Sequence, residues 1–265
     1  MGFLNRSYDT LKVRFDEDIC FIELHRPEAN NAINERLVEE LGYVLRACEG
    51  VAKVLVLEGQ SDVFCSGADF REIGARVDGQ QPDQERDHQQ DPGPLYDLWQ
   101  RLACGPFVSV AHVRGRANAG GIGFVAACDI VVCDSHATFS LSELLFGLMP
   151  ACVLPFLVRR IGYAKANYMT LMTQPVSAAQ AVQWGLVDAS EENSVNLLRK
   201  HLLRLRRLGV DGVTRYKRYA VGLDGALAAS KPLALAANIE VFSDPANRQK
   251  IARYARTGKF PWEPD

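Results

Sequence analysis

Three short runs, Val54 to Leu57, Phe107 to Val113 and Ile130 to Cys133, are largely apolar and lack the alternation of a strand with one wet face. Runs of this kind suit strands covered on both sides, which confines the chain to layered folds. Leu11 to Phe15 and Cys20 to Leu24 do alternate in part, around Asp16-Glu17-Asp18, and read as a hairpin. The period then changes. Asn34 is a good N-cap for a helix from about Glu35 to Ala47, with Leu37, Val38, Leu41, Val44 and Leu45 on one face. From Pro155 onwards the signals are nearly all helical, with a polar break at Glu191-Glu192-Asn193-Ser194. The fold class is α/β, with strands and helices alternating first and a helical C-terminal region after them.

Two small-residue turns interrupt the apolar runs. Cys65-Ser66-Gly67-Ala68-Asp69-Phe70 follows the run ending at Leu57, and Asn118-Ala119-Gly120-Gly121 follows the run ending at Val113 and opens a possible helix. Glycine and alanine let a backbone N–H approach a ligand closely, and a helix N-terminus adds a positive dipole. Two such N–H groups converging on a thioester carbonyl would stabilise an enolate. A lone Gly-Gly is more often an ordinary turn.

Composition excludes several alternatives. Thirty basic and thirty-two acidic residues in 265 leave no global charge to attract nucleic acid or an acidic membrane surface. No apolar run approaches the roughly 20 residues of a membrane span, and no signal sequence is evident at the N-terminus, so the expected location is cytoplasmic. Seven cysteines without a C-x-x-C pair fit reduced, buried thiols, and no metal site is expected. Cys65 lies beside the first turn, but with no histidine nearby in sequence to activate it, a packing role is expected. Gly74 to Gly93, rich in Gly, Gln, Asp, Arg and Pro, reads as a mobile loop, either a substrate lid or an inert insertion. The run Val195 to Leu208 carries Arg199, Lys200, Arg204, Arg206 and Arg207, either a solvated face or a docking surface for an acidic carrier protein.

Ser66-Gly67-Ala68-Asp69, Gly120-Gly121, Cys128-Asp129-Ile130 and Phe139 to Pro150 stand in an order and spacing that resemble the crotonase superfamily of enoyl-CoA hydratases and isomerases. His25 to Asn34, and Ala178, Gln180, Ala181, Trp184, Gly185, Leu186, Val187 and Asp188, extend the resemblance over nearly the whole chain. Pro94 to Trp99, Ser142 to Pro150 and Pro150 to Phe156 resemble the dehydratases of bacterial polyketide β-branching cassettes. The resemblance implies a spiral of ββα units over residues 1–195, followed by a helical region over 196–265 that serves trimerisation. It also implies a homotrimer or hexamer, for which the Ala- and Leu-rich segment Leu223 to Val241 is suited.

Glu143 sits among Phe, Leu and Ser, where a carboxylate is costly without a task or a partner. Desolvation would raise its pKa towards values useful for proton transfer, whereas the plainer alternative is a satisfied Glu at a helix start capped by Ser142. By resemblance, Glu143 is the catalytic acid–base group, and the N–H groups of Ala68 and Gly120 hold the thioester oxygen. Hydratases of fatty-acid oxidation carry another catalytic glutamate three residues beyond that glycine, and here the position is Gly123. One carboxylate can still take an α-proton and return it to a departing hydroxyl, which favours a syn elimination or a double-bond shift over hydration.

The resemblance to the β-branching dehydratases implies a 3-hydroxy-3-methylglutaryl thioester as the substrate, dehydrated to 3-methylglutaconyl, on the phosphopantetheine of acyl carrier protein or on CoA, with no cofactor. A Δ3,Δ2-enoyl-CoA isomerase, another enoyl-CoA hydratase, and a non-catalytic carrier-protein-binding member are the alternatives. Asp69 and Gly121 count among the expected substrate-binding residues through their place in the two turns. Arg71 and Tyr96 are candidates for the distal carboxylate. Arg26 and Lys259 match regions that contact the pantetheine or nucleotide end in relatives. For these four, surface or core roles are the plainer readings.

Overall fold

A computed structural model describes residues 6–77 and 91–264. In chain order its elements are β1 (Leu11–Asp16), β2 (Ile19–Leu24), α1 (Glu35–Cys48), β3 (Val54–Glu58), β4 (Val63–Cys65), α2 (Phe70–Val77), α3 (Gly93–Cys104), β5 (Val108–Val113), β6 (Arg116–Asn118), α4 (Gly120–Ala127), β7 (Ile130–Asp134) and β8 (Thr138–Ser140). There follow α5 (Leu154–Met172), β9 (Val176–Ser177), α6 (Ala178–Trp184), β10 (Ala189–Glu191), α7 (Ser194–Leu205), α8 (Val210–Leu223), α9 (Ala226–Ser243) and α10 (Pro245–Thr257).

The strands form two sheets, ordered β1-β2-β3-β5-β7-β10 and β4-β6-β8-β9. Each winding of the chain adds one strand to each sheet and then a helical segment: β3 and β4, β5 and β6, β7 and β8. This is the expected spiral of ββα units. Pairing within the windings is parallel, and only β1 with β2 and β8 with β9 run antiparallel.

The apolar runs have the predicted cause. Along β3, Leu55 and Leu57 enter the main core while Val54 and Val56 enter a second one behind the sheet; β5 and β7 divide their side chains in the same way. That second core is closed by Leu197, Leu198, Leu202 and Leu205 of α7. The chain just beyond residue 195 thus packs against the spiral as the outer layer of its sheet. The hairpin pairs Leu11 with Leu24 through Asp16 with Ile19. Asn34 caps α1 by accepting from Leu37 N–H at 3.0 Å.

Two short strands interrupt the nearly continuous helix expected after Pro155. β9 adds to the small sheet, and the polar segment Ala189–Glu191 pairs in parallel with β7. Such a short, polar strand is held by its partner's hydrogen bonds rather than by a pattern of its own. Of the proposed loop from Gly74 to Gly93, the first residues complete α2, Gly93 opens α3, and 78–90 lie outside the described residues. Among the described residues no helix is long and apolar enough to cross a membrane.

Candidate active site

Three adjacent parallel strands of the small sheet end side by side. Cys65 of β4 pairs with Ala117 of β6, and Asn118 of β6 pairs with Ser140 of β8. The register therefore brings the Ser66–Asp69 turn, the Ala119–Gly121 turn and the segment Ser142–Glu143 to one edge. This is how turns far apart in sequence become one site.

In the first turn, Ile33 N–H donates to the Gly67 carbonyl at 2.7 Å and Asp69 N–H donates to the Ile33 carbonyl at 3.1 Å. A bridge made through the two flanking residues turns the N–H of Ala68 away from Ile33. Gly67 has φ +94°, and a Cβ there would lie 2.7 Å from Ala119 Cβ and 3.3 Å from Gly120 N. Only glycine admits this approach. Ala119 itself is held at φ 50°, ψ −121° as it enters α4, an uncommon conformation for alanine that sets the direction of the following N–H. Gly121 is required by packing, since a Cβ would lie 2.5 Å from the Cys65 carbonyl oxygen.

Asn118, at the end of β6, ties the three segments together. Its Nδ2 donates to Ser142 Oγ at 3.0 Å and to the Ser66 carbonyl at 3.4 Å, and its Oδ1 accepts from Ser140 Oγ at 2.8 Å. Sequence reasoning assigned this residue no role of its own; an amide at a strand end directly before Ala-Gly-Gly was the available signal.

Glu143 opens a 3-10 turn, Glu143–Phe146, closed by Gly147 in the left-handed region at φ 78°. Burial pushes its carboxyl from the usual 4.5 up to about 7, against the lowering effect of its own backbone N–H and that of Ser142. The residue is 9% exposed, and Oε2 is buried with no hydrogen-bond partner among the described residues. The alternative of a Glu satisfied by a Ser142-capped helix is not what is found: the Ser142 side chain makes no cap and faces Asn118 instead. Gly123 meets the ring of Trp99, for a Cβ there would lie 2.5 Å from Cε2. No second carboxylate can stand at that position with the indole in place.

The expected substrate-binding residues are placed as follows. Arg26 and Asp69 face each other, with Arg26 Nη2 3.0 Å from Asp69 Oδ2, and the guanidinium also donates to the Ala32 carbonyl. Asp69 Oδ1 accepts from Arg71 N–H at 3.2 Å, so this buried pair braces the Ala68 turn and starts α2. The Arg71 side chain is exposed and donates to the Glu28 carbonyl at 3.3 Å. Tyr96 is fully buried, and its hydroxyl donates to the Leu227 carbonyl at 2.6 Å, which places it in the core and commits its one donor. Lys259 Nζ donates to the Pro264 carbonyl at 2.9 Å. In the basic run from Val195 to Leu208, Lys200 pairs with Glu191 and Arg206 with Asp16 and Glu17. Cys65 is fully buried, with its thiol pushed up to about 12 by burial, as a packing role requires.

The C-terminal helices close over this edge. α10 packs on α2, with Gly74 close enough that a Cβ would sit 3.3 Å from Ala255 Cβ. Phe70, Phe146, Tyr254 and Phe260 are in ring contact, Phe70–Phe146 and Phe146–Tyr254 both at 5.1 Å, and Trp262 stacks on Phe260 at 4.9 Å. Asn247 Nδ2 donates to the Gly147 carbonyl at 3.0 Å.

Residues 14–265 match the enoyl-CoA hydratase/isomerase family. The chain is 55% identical over 258 residues to the bacillaene synthase dehydratase PksH of Bacillus subtilis, covering 97% of this chain and 98% of that protein. The crystal structure of Bacillus subtilis PksH superposes with a TM-score of 0.92 at 54% identity, over 96% of this chain and 100% of that one. The hydroxycinnamoyl-CoA hydratase-lyase of Pseudomonas fluorescens is 30% identical over 194 residues, 72% of this chain and 69% of that protein. With its two convergent turns and its buried glutamate, the chain belongs to the enoyl-CoA hydratase/isomerase family, as an enzyme of the hydratase/dehydratase type.

Proposed function

We propose that the protein dehydrates a 3-hydroxy-3-methylglutaryl thioester, carried on the phosphopantetheine of an acyl carrier protein, to the 3-methylglutaconyl thioester. The observation that carries this reading is Glu143, a buried carboxylate whose Oε2 has no hydrogen-bond partner among the described residues, together with Gly123, a position that Trp99 denies to a second carboxylate. The full-length similarity to a bacillaene synthase dehydratase supports dehydration over other outcomes of the same enolate chemistry.

In the reaction, Glu143 as carboxylate takes a proton from C2. The electron pair moves into the thioester, and the oxyanion is held by Ala68 and Gly120 N–H. The enolate then re-forms the carbonyl, the C2–C3 double bond forms, and the C3–O bond breaks. The proton on Glu143 passes to the departing oxygen, water leaves, and the carboxylate is regenerated. A carboxyl held near 7 is matched to both transfers. The Arg26–Asp69 pair fixes the first turn, and the Asn118 amide fixes all three segments. Arg71, exposed at the start of α2, and Lys259 are the cations for the carboxylate or the carrier end of the substrate.

A homotrimer or hexamer is the proposed assembly, supported by Tyr216, Tyr219, Leu223 and Leu233, which α8 and α9 leave exposed. The decisive experiment is intact-mass analysis of acyl carrier protein loaded with 3-hydroxy-3-methylglutarate. Loss of one water with wild type and none with Glu143→Ala is expected; no mass change with folded wild type rejects the reading.

A further inference from the structure

Trp99 enters the site from α3. Its indole is 1% exposed, with Phe124 and Phe156 meeting it edge-on at 5.8 and 5.9 Å between centroids. The Cε2–Cζ2 edge runs along the first turn of α4, 3.9 Å from the Cβ position of Gly120 and closer still to that of Gly123. Nε1 is bonded to Cε2, so the indole N–H belongs to the same edge. It is buried and has no acceptor among the described residues. Glu143 Oε2 is its complement, a buried acceptor of the site without a donor among them. Buried donors are nearly always satisfied, because an unmade hydrogen bond in a dry environment is costly. An acceptor carried by a bound molecule would satisfy the Trp99 N–H.

We propose that the Trp99 Nε1–H donates a hydrogen bond to the oxygen on C3 of the bound acyl chain, the hydroxyl that leaves as water. The assignment rests on the dehydratase reading above and follows from the order of groups along the substrate. The thioester oxygen is taken by Ala68 and Gly120, the chain passes Gly120 to offer C2 to Glu143, and C3 is one bond further on. The distal carboxylate is a poor match, since a charge against Phe124, Phe156 and Ile33 would be badly desolvated. An indole N–H holds its proton throughout. It steadies the oxygen as the C3–O bond breaks and the electron pair moves onto it, while the proton that completes water comes from Glu143. Trp99 thus does two things at once: it fills the volume beside Gly123 and supplies a neutral donor there.

The test uses indole ¹H–¹⁵N spectra of the Glu143→Gln protein, which binds without turnover. Trp99, Trp184 and Trp262 give three signals, and the signal lost in Trp99→Phe is that of Trp99. A 3-hydroxy-3-methylglutaryl thioester is expected to move the Trp99 proton downfield, and the 3-methylglutaryl thioester, identical but for the hydroxyl, to leave it in place. An equal shift with both overturns the proposal, since the acceptor is then another group. In turnover, Trp99→Phe is expected to lower kcat about tenfold with little change in KM. An unchanged kcat in that variant overturns it as well. If wild type binds the hydroxy thioester but releases no water, the dehydratase reading fails, and the comparison of the two thioesters still decides the hydrogen bond.

Discussion

The two sheets of this enzyme are stabilised by opposite means. The inner strands β3, β5 and β7 of the six-stranded sheet are largely apolar on both faces, closed by the main core on one side and by the leucines of α7 on the other. The four-stranded sheet has strands of two or three residues, and its edge is organised by polar contacts: the Asn118 amide, the Arg26–Asp69 pair and the Ile33–Ala68 bridge. Apolar burial tolerates small displacements, whereas hydrogen bonds between turns fix atoms to within a few tenths of an ångström. Folding strength and catalytic geometry are thus assigned to different sheets.

That division can be broken most severely at Glu143. Glu143→Gln is expected to lower kcat by about 10²- to 10⁴-fold in the carrier-protein assay. The same change should stabilise the fold at high pH. Below pH 4.5 the carboxyl is neutral whether folded or not. Between 4.5 and about 7 the unfolded chain ionises while the buried group resists, so wild type loses stability as pH rises, by about 3 kcal/mol once above 7. Urea denaturation at pH 5 and pH 8 should show that loss in wild type and not in the glutamine variant. For activity the sign is reversed, because the reaction starts from the carboxylate: kcat/KM should rise tenfold per pH unit below an inflection near 7 and level off above it.

Asn118→Ala is the next largest expected effect, a fall in kcat of roughly 10- to 100-fold from releasing three segments that must act together, with a stability loss of about 1–3 kcal/mol. Parallel kinetics and denaturation would show catalysis falling further than stability. Leu198→Ala in α7 is the control from the other sheet. It should cost about 2–5 kcal/mol of stability and leave kcat of the folded protein within a factor of two. If it slows turnover as much as Asn118→Ala does, the two sheets are not separate in function.

Most of the large sheet could be read from sequence because burial on both faces leaves an apolar run, and α1 because its cap and its stripe agree. β10 left no such trace, being polar and paired only through its backbone. In the site, small residues and an isolated acid in apolar surroundings marked the two turns and Glu143 as candidates, and the resemblance supplied their roles. Trp99 as the occupant of the space beside Gly123 was not readable, because it depends on how α3 crosses α4. Nor was the pairing of Arg26 with Asp69, which a chain contact across forty residues creates: both look like free charges in sequence, and each neutralises the other in the fold.

The ring contacts from Phe70 and Phe146 to Tyr254, Phe260 and Trp262 have a consequence for synthesis. Both turns and Glu143 are translated well before the aromatic residues Tyr254, Phe260 and Trp262. A chain that has emerged only through α7 already holds the leucines that cover the outer face of the large sheet, whereas the edge at the two turns waits for its cover until the last residues are made.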